Sequence, residues 1–585
     1  MLLSERIGRL WDIIRPSNRR LVLCSVLALV FSIITVFGNS YYKSGSGSVL
    51  FTDFGTSIRT SLFGLSLALL YMALLVILFA FFDNRTARGL TQSKNKATNQ
   101  ESLSTELLGG TRKQLFIIVF SIIFICYLPF LIICYPGNLT FDGYIQINQF
   151  MGLEALGNWN PVVSTVIIGS IFSFGRMLGN DNSGLFLVVL SQSVGLSFVF
   201  TQACLFIHDL GFRKLTWLAV VFFAVCPIWP AYASTLIKDT LFLIFFFEFS
   251  LLVMKALAEQ KQLSTQKILV LAAFALMTCL TRHNGFYAVI LTLLMVTFAV
   301  NKTMRKQMLS ILVAVFGIYM VFTMIVLPIS GIYSSPMTEM MSVPYQQTAR
   351  YVIMYSDEIT LEEKEIIDQV IDYDRIPVLY NPENSDPIKF SIPSNTKLSA
   401  PYLGLWVRMF SRHPLTYLSA TFHNTYGFYY PFENCDATST YNLYIQGEPA
   451  ATGDYDIHYV FSNNLIDPGS SVPSQMPPQI VSAYVEAWRS LPVIQLLIRP
   501  GFYVWILVVL SIYLVDTKRY WMLAAFASPA FLFLTCMASP INGTMRYAVP
   551  FIAVTIPILA YVFSAKNQNL HLLSKPRASV GSRRR

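Results

Sequence analysis

Charge is what this sequence has least of. Asp, Glu, Lys and Arg make up 13% of its 585 residues against 54% hydrophobic ones, and a mean hydropathy of +0.54 means more apolar surface than one water-soluble core can hide. A single-core soluble fold is excluded. Cysteine is scarce as well. Cys24, Cys126, Cys204, Cys226, Cys279 and Cys536 fall inside apolar runs, where they act as small hydrophobes, and Cys435 stands alone in a large polar region, so no disulfide framework is implied. No nucleic-acid motif and no internal repeat is visible. No small-residue cleavage site follows the first apolar run, whose leading segment is long and Arg-rich, so that run reads as an uncleaved anchor.

What is present is a series of apolar runs, most of a length that crosses about 30 Å of hydrocarbon as helix. They lie at 21–40, 62–82, 115–134, 184–207, 215–232, 237–255, 267–281, 284–300, 308–329, 497–514, 520–538 and 547–565. These runs predict a mainly α, polytopic membrane protein of about twelve transmembrane helices, with outer juxtamembrane helices and an extracytoplasmic domain. Basic residues mark the cytoplasmic side. Arg15, Arg19 and Arg20 precede the first span, and Arg85, Arg88, Lys94, Lys96, Arg112 and Lys113 separate the second from the third. Arg213 and Lys214, Lys255 and Lys261, Lys302 to Lys306, Lys518 and Arg519, and Arg583 to Arg585 all fall on the same side if the run 162–175 does not cross. That run is therefore expected as a helix lying on the outer face, and both termini are expected in the cytoplasm, with the net charge of +10 a signature of cytoplasmic loops. The short loops suit a bacterial plasma membrane.

Four regions follow: 1–114, a two-helix membrane region with a cytoplasmic loop; 115–330, a membrane core with an outer loop at 135–183; 331–496, an extracytoplasmic domain; and 497–585, three helices with a basic tail. The third holds more than two acidic residues for each basic one and is rich in Tyr, Asn, Pro and Ser. Within it, 402–432 reads as one or two aromatic-rich helices broken at Pro414, suited to packing on the membrane surface.

The polar residues that carry chemistry crowd the predicted outer side. The stretch NLTFDGYIQINQFMGLEALGNWNPVV, 138–163, lacks Lys and Arg. It sets Asp142, Gln146 and Gln149 on one stripe of a short helix that Thr140 would cap. AYASTLIKDTLF places Lys238 and Asp239 at the outer mouth of a span, CLTRHNGFYAVI puts Arg282, His283 and Asn284 in a tight outer turn, and SPINGTMRYAVPF puts Arg546 at the mouth of the last span. Ionisable groups at the edge of hydrocarbon are expensive unless paired or used. Together they describe a pocket with a base and an anion clamp.

An acid in the first large outer loop, the Asn-Trp-Asn-Pro turn before VVSTVIIGSIFSFG, the acid of LIKDTLF and the Arg of LTRHNGFYAVI together resemble the GT-C superfamily of integral membrane glycosyltransferases. The likeness is nearest to its Gram-positive multi-pass members and covers 115–300 best. Asn160 stands where the protein mannosyltransferase and aminoarabinose transferase branches carry His. The resemblance implies a polyprenyl-phosphate-linked sugar as donor and a cell-envelope glycan, lipid or protein as acceptor. Asp142 would be the general base of an inverting transfer, with Asp239 the second catalytic-site carboxylate, positioning Lys238 or the acceptor or binding a divalent ion. Lys238, Arg282 and Arg546 would hold the donor phosphate, and Gln146, Asn160, His283 and Asn284 would position substrate. No cofactor is expected, and a divalent metal is not favoured. The rival expectation is a flippase or transporter of an anionic lipid or glycolipid, which should carry charges along its spans. Here the mid-span positions read as almost purely apolar.

Overall fold

The computed structural model of the chain describes residues 16–98, 111–333, 337–393, 396, 399–432 and 476–564. In it the protein is mainly helical. α1 (Asn18–Ser44) and α2 (Phe54–Thr98) form a hairpin. α3 (Arg112–Ile133) leads through β1 (Asn138–Leu139) into the short α4 (Phe141–Phe150). α5 (Val162–Leu178) packs along α6 (Asp181–Asp209). Then come α7 (Arg213–Val225), α8 (Ile228–Ala233), β2 (Thr235–Leu236) and α9 (Lys238–Glu259). α10 (Thr265–Thr281), α11 (His283–Ala299) and α12 (Lys302–Val321, continued through a wider turn to Ile329) complete the first membrane body. α19 (Met476–Ser490), α20 (Pro500–Asp516), α21 (Ala527–Cys536) and α22 (Met545–Phe563) follow an outer helical unit that runs from α13 (Ser342–Met354) to α18 (Pro414–His423).

Among the described residues, seven helices are long and apolar enough to cross a membrane: α1, α2 up to Thr86, α3, α6, α9, α12 to Ile329, and α22. Val162–Leu178, Thr265–Thr281, His283–Ala299, Pro500–Asp516 and Tyr520–Cys536 are apolar but shorter; a helix of 17 residues reaches only about 26 Å. The chain is thus a polytopic membrane protein.

Two expectations need correction. The run 215–232 is not one span. It breaks at Cys226, whose ψ is 123°, because Pro227 has no N–H to give and disfavours helical backbone before it; a new short helix starts at Ile228. Nor is α9 purely apolar. Glu248 is buried in the middle of LFLIFFFEFSLL, with Lys255 two turns on at 3.8 Å, a pair hidden in the sequence by the surrounding Phe and Leu.

The ends of the helices sort into two groups. At one, Arg20 bridges Asp83 at 2.8 Å and Asp516 at 2.7 Å, Arg112 meets Asp209 at 3.0 Å, and Arg519 donates to the Val562 carbonyl at 3.2 Å. At the other, the Tyr41 and Ser419 hydroxyls share a short hydrogen bond, Arg499 donates to the Pro431 carbonyl at 3.2 Å, and the starts of α9 and α22 meet. Helices α1, α9, α20 and α22 each run from one group to the other, so these described basic clusters and the outer unit occupy opposite ends of the body.

The outer unit comprises α13 (Ser342–Met354), α14 (Leu361–Asp368), α15 (Ile376–Leu379), α16 (Asp386–Ser391), α17 (Ala400–Arg412) and α18 (Pro414–His423). It has a core of its own, built from Tyr345, Tyr351, Ile367, Ile371, Tyr402, Leu405, Met409 and Tyr417. The chain does break before Pro414, as its ring requires. Residues 433–475, with Cys435, lie outside the described part.

Candidate functional site

Two parallel strand–helix units build the site. Asn138 pairs with Thr235 and Leu139 with Leu236, and each strand runs straight into a helix. Thr140 caps α4 by accepting from the Gly143 N–H at 3.1 Å and donates its own hydroxyl to the Leu236 carbonyl at 2.9 Å, so the cap also ties the units together; such a cap contributes about 1 kcal/mol. The packing is close. A Cβ on Gly143 would lie 2.6 Å from the Leu236 oxygen, which is why that position has no side chain. Asp142 and Asp239 fall in the first turns of α4 and α9, where the positive end of the helix dipole favours a carboxylate.

Five charged residues predicted from four separate stretches meet here. Asp142 Oδ2 accepts from Lys238 Nζ at 3.1 Å and from Arg546 Nη2 at 2.6 Å. The same Nη2 reaches Asp239 Oδ2 at 2.8 Å, with Nε at 3.2 Å. Arg282 Nη1 lies 2.7 Å from Asp239 Oδ1. Three cations against two carboxylates leave one positive charge in excess. Exposure grades across the network, from 2% for the Asp239 side chain to 20% for Asp142, so an anion would enter at the Asp142, Lys238 and Arg546 end. Burial opposes the charge on Asp142, but Lys238 and Arg546 outweigh it and hold its carboxyl well below the usual carboxylate range. Both cations bind its Oδ2.

Among the predicted neutral residues, Asn160 bonds directly to the network, and Gln146 and His283 bond to groups beside it. Lys238 donates to Asn160 Oδ1. Gln146 Nε2 donates to Ser164 Oγ at 2.8 Å and to Thr165 Oγ1 at 3.1 Å. His283 Nε2 lies 2.6 Å from the Asn158 carbonyl. Asn284 is half-buried beside it and makes no hydrogen bond to the network among the described residues. Glu154, a second acid in the opening stretch, is exposed, away from the cluster, and accepts from Asn148 at 2.9 Å. Tyr547 was missed: its ring lies 4.7 Å from the Arg282 guanidinium carbon and 5.4 Å from that of Arg546, and an aromatic directly after Arg546 was the signal. Two buried donors of the Trp159-Asn160 turn, Trp159 Nε1 and Asn160 Nδ2, have no partner among the described residues.

The loop that delivers Arg546 is held from outside. The Asn542 N–H donates to the Glu383 carbonyl at 2.8 Å, the Ser385 N–H to the Pro540 carbonyl at 2.8 Å, Asn424 Nδ2 to the Ser539 carbonyl at 2.8 Å, and the Gly427 N–H to Asn542 Oδ1 at 2.8 Å. Gly427 has no side chain because a Cβ there would lie 2.9 Å from Gly543 Cα. The outer unit thus grips the turn immediately before α22.

A family of unknown function, DUF6020, matches residues 153–574, a span that holds Lys238, Asp239, Arg282 and Arg546 and begins after Asp142. No curated protein and no solved structure matches the chain.

Proposed function

We propose that this chain, which belongs to the DUF6020 family, is a membrane glycosyltransferase of GT-C type that moves a sugar from a polyprenyl-phosphate donor to a cell-envelope acceptor. The observation that carries the reading is the ion network at the ends of α4, α9 and α22. It has an excess positive charge, a carboxylate at its open edge, and a place at the membrane boundary where a lipid-linked phosphate would lie. The same sorting of helix ends supports an orientation in which the site and the outer unit face the outside and the described basic clusters face the cytoplasm.

The donor phosphate competes with Asp142 for Lys238 and Arg546. While paired, Asp142 is a weak base, because its proton affinity is depressed by both cations. Binding of the phosphate draws the cations off Oδ2 and restores basicity when a substrate is present. The acceptor hydroxyl then gives its proton to Asp142 as its oxygen attacks the anomeric carbon. The bond from that carbon to the phosphate oxygen breaks with its electron pair, and the departing polyprenyl phosphate is stabilised by Arg546 and Lys238. Attack opposite the leaving group inverts the anomeric centre. Arg282, sealed behind Asp239, holds Arg546 in place through that carboxylate.

The test is transfer by the purified protein in liposomes, from labelled polyprenyl-phosphate sugars to a cell-envelope extract, for wild type and Asp142→Asn. Transfer lost in the variant with retained binding of polyprenyl phosphate supports the base. Equal transfer by both removes Asp142 from that role. Absence of transfer together with movement of labelled lipid between leaflets would favour the flippase, for which the pair of buried Glu248 and half-buried Lys255 is the feature to pursue.

A further inference from the structure

We propose that α17 and α18 lie in the outer leaflet of the bilayer, with an apolar stripe against lipid, and so hold the outer unit at a set depth. α17 is strongly two-faced. Tyr402, Leu405 and Met409 are buried in the unit's core, whereas Leu403, Val407 and Phe410 recur at i, i+4 and i+7 on the opposite side and are exposed; Leu415 and Leu418 of α18 extend the apolar surface past the break at Pro414. Five large apolar side chains exposed within sixteen residues call for a partner.

Three observations assign lipid as that partner. α18 is attached to a membrane helix: the Tyr41–Ser419 hydrogen bond and the Phe37 and Phe422 rings, 6.3 Å apart, fix it at the outer end of α1, whose membrane-crossing part exposes Val22, Val26, Leu29, Val30 and Ile33. The two helices have 13 and 10 residues, too short to span and suited to lying in the interface plane. Exposed Arg408 stands beside Val407, where its guanidinium would meet lipid phosphate while its stem lies along the apolar surface. The consequence reaches the site. Asn424 and Gly427, just past α18, grip the 539–544 turn, so the depth of α18 in the leaflet sets the depth of Arg546. The inference does not depend on what reaction the site performs.

The test uses the full chain in liposomes of phosphatidylethanolamine and phosphatidylglycerol, with the photocrosslinker p-benzoylphenylalanine at Phe410, at Leu418, or at Asp374 on the water-facing side of the same unit. Phe410 and Leu418 are both exposed, so the added benzoyl group has room, and using two positions guards against a local packing effect. After irradiation, lipid adducts at Phe410 and Leu418 should exceed those at Asp374 by about tenfold. Crosslinks from both positions to another part of this chain or to a second copy would overturn the proposal by showing that protein covers the stripe. Lipid yields no higher than at Asp374 would overturn it by placing the stripe in water.

Discussion

Asp142 and Asp239 are equivalent residues of two parallel strand–helix units, and they share one guanidinium. Each lies four residues beyond paired strand positions, Asn138 and Thr235, and their Oδ2 atoms meet Arg546 Nη2 at 2.6 and 2.8 Å. Two like charges this close need the cation between them, and Arg546 comes from the far end of the sequence. The equivalence ends at the surroundings. Asp239 is sealed between Arg282 and Arg546, whereas Asp142 stands at the open edge.

That difference separates the two aspartates experimentally. Asp239→Asn leaves two guanidiniums facing a neutral group in a closed site, and removing one partner of a buried ion pair costs about 3–5 kcal/mol. Its unfolding temperature in detergent should fall well below that of wild type. Asp142→Asn should lose transfer while its stability falls less than that of Asp239→Asn, because its side chain is 20% exposed against 2% for Asp239. Similar loss of stability in both would mean that Asp142 serves the fold first.

The pattern of equivalence was visible in the sequence as Asn-Leu-Thr-Phe-Asp and Thr-Leu-Ile-Lys-Asp, two copies of Leu-x-x-Asp. It went unread because a two-residue strand has no periodicity to detect. The charges at the ends of apolar runs were legible because lipid makes ionisable residues conspicuous. Their grouping was a matter of sidedness, which the basic loops supply. Which oxygen meets which nitrogen was not legible, nor was the grip of residues 383–385 and 424–427 on the turn before Arg546. Those contacts join residues more than a hundred positions apart, and each uses a backbone group on at least one side, which has no sequence identity to read. Glu248 was overlooked for the opposite reason, since one acid among Phe and Leu barely alters a hydropathy average.

The close approach of the two units gives a stability prediction. Gly143→Ala places a methyl group against the Leu236 carbonyl, and backbone cannot yield as a side chain end can. Overpacking of this kind costs about 1–3 kcal/mol, and here it should also spread the β1–β2 pairing and move Asp142 away from Lys238. Thermal unfolding of Gly143→Ala against Gly143→Ser should show both destabilised, and a wild-type melting temperature in either would contradict the packing.

The outer unit should weaken in mild acid. His423 is buried against Tyr41, with Arg350 Nη1 3.4 Å from its Nδ1 and Glu383 at 3.9 Å from its Nε2. Burial first, then the Arg350 charge, lowers its pKa to about 4. The unfolded ring titrates near 6.5, so between these values the unfolded chain binds a proton that the folded chain refuses. Stability from this residue is therefore complete above about pH 6.5 and declines towards pH 4, by at most about 3 kcal/mol. Melting temperatures from pH 7.5 to 5 should fall more steeply for wild type than for His423→Gln; parallel slopes would assign the acid sensitivity elsewhere.

The grip on the Arg546 loop makes a prediction that a merely structural contact would not. Asn542 Oδ1 accepts from the Gly427 N–H, and its own N–H reaches the Glu383 carbonyl. Asn542→Ala keeps the second bond and abolishes the first, stranding a buried donor at about 1–3 kcal/mol, whereas Asn542→Asp keeps an acceptor oxygen in the same place. If the outer unit sets the position of Arg546, the alanine variant should raise amide exchange across 539–546, raise KM for the lipid-phosphate donor and lower kcat, because in the proposed reaction Arg546 meets both the bound phosphate and the leaving group. The aspartate variant should recover most of each. Exchange that rises in the alanine variant with kinetics unchanged would show that the loop is held from outside while Arg546 is held by Asp142 and Asp239 alone. Exchange that does not rise would remove the outer unit from the control of the site.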